Sequence, residues 1–72
     1  MATELWQCNA RGVTLEKAAR RFATTYWEGV PRKVENLKAD PNDSHAMTFN
    51  LVGGVATYSI YFVEDTIVVE RL

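Results

Sequence analysis

VTLEKAARRFATTYWEGVP, residues Val13 to Pro31, is the stretch that decides the fold. Its apolar side chains fall at Leu15, Ala18, Ala19, Phe22, Ala23, Tyr26, Trp27 and Val30, which is the i, i+3, i+4, i+7 spacing of a single helical stripe. Thr14 supplies an N-cap and Glu16 places negative charge in the first turn. Gly29 can take the left-handed position after the last turn, and Pro31 forbids continuation. The stretch therefore predicts one amphipathic helix, which must bury one face against another layer.

That layer is read from the flanks. On the N-terminal side, residues 3–10 alternate: Trp6, Cys8 and Ala10 share one face, which Glu4 leads at its edge, and Leu5, Gln7 and Asn9 point the other way, as in a strand. Arg11 and Gly12 turn the chain into the helix. On the C-terminal side, residues 32–40 carry Val34 and Leu37 three apart among Arg32, Lys33 and Lys38, a pattern that suits a helical turn or a bulged edge strand, of which the charge-protected edge strand is favoured. Asp40-Pro41-Asn42-Asp43-Ser44 is a turn, because proline presets it and Asn and Asp side chains bond their own backbone.

From His45 onward the pattern is a meander. Met47, Phe49 and Leu51 share a face, Gly53-Gly54 suits a two-residue hairpin, and Ala56, Tyr58, Ile60 and Phe62 continue the apolar face on the return strand. A second tight turn at Glu64-Asp65 leads into a last strand over residues 66–72. The element order is β-α-β-β-β-β. One helix with one apolar stripe then lies across one face of an antiparallel sheet of four to five strands, an α+β two-layer sandwich. Phe22, Tyr26 and Trp27 are expected to meet Trp6, Phe49, Tyr58, Ile60 and Phe62.

Size and composition bound the function classes. A chain of 72 residues, 47% hydrophobic and 24% charged, reads as one folded domain whose core is marginal, and self-association is the expected reinforcement. The N-terminus lacks the pattern of a signal peptide and no apolar run approaches the length of a membrane span, so a cytoplasmic protein without membrane contact is expected. The net charge of -1 hides a division. Residues 1–39 hold seven basic side chains against four acidic ones, and residues 40–72 hold one against five. Such asymmetry can orient a partner or a second copy, or simply be paired within the fold.

Chemistry is sparse. Cys8 and His45 are the one thiol and the one imidazole, too few for a structural zinc and a weak case for a nucleophile and base. Cys8 shares a face with Trp6 and reads as a small core residue. Asp40 with Asp43 and Glu64 with Asp65 sit in turns, where carboxylates serve backbone geometry and solubility. No phosphate-binding glycine loop, HExxH or CxxC occurs. The expectation is a protein that is not an enzyme and uses no metal or cofactor.

Binding surfaces remain. The sheet face turned away from the helix is expected to present Leu5, Val55, Tyr61, Val63 and Val68 among Thr57, Ser59, Thr66 and Glu70, more apolar than a solvated face needs. A protein partner or a second copy is expected there. The alternative is a nucleic-acid-associated protein using the polar helix face, where Lys17, Arg20 and Arg21 lie between Arg11 and the pair Arg32-Lys33. Against it stand Glu16 and Glu28 on the same face. Residues 14–22 also resemble the first helix of helix-turn-helix domains, but a recognition helix after a short turn has no room before Asp40-Pro41.

Overall fold

The computed structural model describes residues 3–25 and 32–72. Their order is β1 (Thr3–Asn9), α1 (Leu15–Thr25), β2 (Val34–Asp40), β3 (Asp43–Leu51), β4 (Thr57–Val63) and β5 (Thr66–Arg71). The five strands form one antiparallel sheet in the order β1-β5-β4-β3-β2. The helix packs on one face of it, which is the two-layer α+β arrangement expected from the stripe. β1 and β2 are the two edges, so the connection that carries α1 crosses the whole width of the sheet.

The helix starts where the cap residue dictates. The Thr14 hydroxyl accepts the Lys17 amide at 3.1 Å and the Thr14 carbonyl accepts the Ala18 amide at 3.0 Å, satisfying donors that the first turn leaves open. Upstream, Asn9 Oδ1 accepts the Arg11 amide at 2.8 Å and Gly12 takes a φ of 66°, so the strand-to-helix turn is set by Asn and Gly. At the other end, the Thr24 and Thr25 hydroxyls donate back to the Arg20 and Arg21 carbonyls, and the Arg32 amide reaches the Ala23 carbonyl at 3.1 Å. The expected stop at Gly29 and Pro31, and the core roles of Tyr26, Trp27 and Val30, lie outside the described residues.

Phe22 is the centre of the core. It is fully buried, and its ring meets Trp6 and Phe49 edge-on, each at 5.9 Å between centroids, and Tyr58 at 5.3 Å. Phe49 and Tyr58 stack on one another at 5.4 Å. Such aromatic pairs add stabilisation of about 0.5–1.5 kcal/mol beyond their buried area. Around them close Ala18, Ala19, Ala23, Leu51, Ile60, Ile67 and Val69. Phe62 does not join them as expected: it is exposed near the β4–β5 turn, where the strand continues the alternation past the contacts of the core.

Three local departures from plain alternation matter. In β1, Glu4 pairs with Glu70 and Trp6 with Val69, so Leu5 is an extra residue. This bulge puts Leu5 and Trp6 both against the core and moves Glu4 to the outer face, correcting the expected sides of Leu5 and Glu4. In β2, Asn36 and Leu37 together oppose one residue of β3, and Asn36 takes a φ of 57°, which is the bulged edge strand that the sequence predicts. The β3–β4 connection keeps the register of a Gly53-Gly54 hairpin, yet its last ladder pair is Asn50 with Thr57. The turn lies instead at Val52-Gly53, closed by the Gly54 amide on the Leu51 carbonyl at 2.9 Å, with Gly53 at a φ of 85°. The cause is competition: the Val52 amide donates to the Lys33 carbonyl at 2.9 Å and Arg32 Nη1 donates to the Val52 carbonyl at 3.1 Å. The segment leading into β2 thus captures Val52 and draws it away from β4.

Candidate functional site

The register sorts the outer face of the sheet into cross-strand rows. One row holds Gln7, Val68, Tyr61 and Ala46, and the next holds Glu4, Glu70, Ser59, Thr48 and Lys38. No described element lies over them. The centre is nevertheless closed to water, with Ala46 at 4%, Ser59 at 7% and Val68 at 4% relative exposure, because small side chains lie beneath larger neighbours. Tyr61 is the largest of these neighbours, and its hydroxyl donates to Glu70 Oε1, which holds the ring down. The result is a flat face with a neutral middle, acidic on the β1–β5 side, while β2 presents Lys38 in this row and Glu35 in the row beyond.

Of the five apolar residues expected on this face, Tyr61, Val63 and Val68 lie on it. Val63 is exposed beside the β4–β5 turn, and Val68 is buried in the middle. Leu5 packs inward because of the β1 bulge. Val55 is fully exposed, but it stands in the β3–β4 loop, displaced there by the capture of Val52. The face is therefore less apolar and flatter than expected. Glu4, Lys38 and Ala46 were not among the expected residues; only the strand order and the β1 bulge bring the first two into one row.

The Tyr61 hydroxyl has its pKa pushed up to about 12, first by donating to Glu70, then by burial and by the negative charges of Glu70 and Glu4. The folded value lies above the ordinary 10.0, so folding favours the neutral phenol. Its contribution is complete below about pH 10 and is lost as the pH rises through about 12. The stability difference between wild type and Tyr61→Phe is thus expected to narrow across that window, and ultraviolet tyrosinate absorbance should show a late-ionising tyrosine that is lost in Tyr61→Phe. An unchanged difference up to the end of the window would contradict the Tyr61–Glu70 coupling.

The basic residues divide. Arg20, Arg32 and Lys33 come together with Thr24 and Val34 around a depression of about 360 Å³ between the end of α1 and the start of β2. Arg32 also borders a second one, of about 280 Å³, with Arg71 and the Gly53-Gly54 loop. Arg20 is already engaged by Glu16 at 2.9 Å on the helix surface. Lys17 and Arg21 are exposed on α1. Arg11 is exposed at the helix start, about 16 Å from the Arg32 end by helix length, so the six cations do not form one patch.

Cys8 packs against the core from β1, while His45 is exposed on β3. Two strands separate them, roughly 14 Å at the usual spacing, which is too far for a thiol and a base to act together. Among the described residues no three His, Cys, Asp or Glu side chains gather as a metal site, and no helix is long and apolar enough to cross a membrane. No family model, no curated protein and no solved structure matches this chain.

Proposed function

We propose that this chain is a noncatalytic interaction domain that docks the outer face of its sheet onto another protein surface, with a second copy of itself among the candidates. The observation that carries the reading is the flush, shielded middle of that face, Ala46, Ser59 and Val68, with Tyr61 tied down to Glu70. Docking such a surface immobilises few side chains, and side-chain ordering is one of the main costs of association. An ordinary solvated sheet face carries long charged side chains over its middle; here they stand at the flanks. Ser59→Arg is expected to abolish the complexes formed by the wild type, read by light scattering and by cross-linking to candidate partners, with circular dichroism unchanged. Thr48→Arg, on the neighbouring strand, is the second variant. Complexes that survive both substitutions would overturn the reading.

A second reading is supported by the meeting of Arg20, Arg32 and Lys33 around one depression. Phosphate backbones are attracted to such a surface, and the attraction falls steeply with salt. If Lys33→Glu removes a salt-sensitive binding to single-stranded or duplex DNA that Ser59→Arg leaves intact, the basic depression is the functional surface. Absence of any binding at low salt ends this alternative.

A further inference from the structure

From the charge register of the outer face we infer that its occupant is a second copy of this chain, docked about a two-fold axis that runs parallel to the strands over β4. The inference rests on the docking reading above and adds the partner and its orientation. Glu4, Glu70, Ser59, Thr48 and Lys38 pair in succession across all five strands, so they lie at one level along the sheet. The row is acidic on β1 and β5, neutral in the middle and basic on β2.

Two features mark the row as incomplete in a single chain. Glu4 stands directly opposite Glu70, and like charges in that position destabilise a sheet. Among the described residues, neither carboxylate has an ion-pair partner and neither does Lys38; the ion pair present is Arg20 with Glu16 on the helix. What would relieve the acidic pair is a cation delivered from above the face. Lys38 of the same chain is held four strand positions away from Glu4 and cannot reach it.

A second copy can deliver it in one orientation. β4 is the middle strand, so rotation about an axis along it lays β4 over its copy, β5 over β3 and β1 over β2. Lys38 of each copy then stands over Glu4 of the other, with Glu70 one strand inward, and the row matches itself twice. Sheets stack about 10 Å apart and within about 30° of alignment, a gap that a lysine and a glutamate extended toward each other can bridge. In the adjacent row the same rotation sets Val68 over Ala46 and Tyr61 over its copy. The other face-to-face two-fold, with its axis across the strands, lays every strand over its own copy; centred on this row it sets Glu4 over Glu4 and Lys38 over Lys38, shifted half a row it sets Lys38 over Glu35, and in neither case does it bring a cation to Glu4 and Glu70. The interface is isologous, as a closed dimer requires, and its flanking charges set orientation more than affinity.

The test is sedimentation of the full chain over a wide concentration range at low and moderate salt. Wild type is expected to dimerise, and Lys38→Glu and Glu4→Lys are each expected to weaken the dimer about tenfold or more. Mixing the two variants in equal amounts should restore association, because each then meets its opposite charge on both flanks; isotopic labelling of one variant lets native mass spectrometry identify the mixed dimer. If Ser59→Arg abolishes the dimer but the charge variants dimerise like wild type and mixing adds nothing, the docking face stands and the two-fold arrangement falls. If the dimer survives both Ser59→Arg and Thr48→Arg, both fall. A wild type that stays monomeric throughout overturns self-association, whether or not Ser59→Arg then disrupts binding to a different protein.

Discussion

Phe22→Ala is expected to cost about 3–5 kcal/mol of folding stability, the range for removing a fully buried aromatic side chain, and to leave a large part of the population unfolded. The reason is position as much as size. Phe22 is completely buried and touches rings from three strands, Trp6 on β1, Phe49 on β3 and Tyr58 on β4. Truncation removes the transfer free energy of the ring and leaves a cavity that three separate strands would have to move to fill. A chain of 72 residues has a total stability of about 4–11 kcal/mol at the usual 0.05–0.15 kcal/mol per residue, so the loss is comparable with the whole. Urea unfolding followed by far- and near-ultraviolet circular dichroism measures it. A loss below about 1 kcal/mol, outside the usual range, would show that the helix is not keyed to the sheet through this side chain.

Ala19→Leu is expected to destabilise by about 1–3 kcal/mol, in spite of adding apolar surface and keeping a good helix former. Ala18 and Ala19 are both completely buried and Ala23 almost so, so three methyl groups flank the Phe22 ring and let the helix sit close to the sheet. A leucine at position 19 must tilt the helix or displace Phe22 from its ring contacts. The control is Arg21→Leu on the exposed side of the same helix, which changes helix propensity as little and meets nothing. Equal unfolding midpoints for the two variants would show slack between the layers, and the close seating of the helix would be refuted.

Those two substitutions fall on the part of the fold that was legible. The stripe of residues 15–23, the Thr14 cap and the alternation of Met47, Phe49 and Leu51 are local properties, and each acts through spacing along one element. Strand order is not local. Nothing in the alternation of residues 3–10 announces that Leu5 is an extra residue, because a bulge is defined by two residues facing one on the neighbouring strand. That hidden insertion turned Leu5 inward and Glu4 outward. Val55 went astray for a similar reason, since Arg32 and Lys33, just before β2, compete for Val52 from outside the hairpin. The candidate site was thus half legible: Tyr61 and Val68 stand where alternation puts them. The charge row is visible only when Glu4, Glu70 and Lys38, far apart in the chain, are brought level by pairing.

The pairing of β1 with β5 has a consequence for how the protein is made. Synthesis runs from the N-terminus, so the first strand emerges with no neighbour to bond and stays that way until the residues of β5 follow. At roughly 5–20 residues per second the wait is on the order of several seconds. During it, α1 can form, and β2 to β4 can assemble as hairpins, but an edge strand carrying Leu5, Trp6 and Cys8 is open to any other nascent chain. Completion of the sheet is therefore an event that follows the synthesis of Arg71, and a chain cut short before Thr66 would leave β1 without a partner and β4 paired on its β3 side alone.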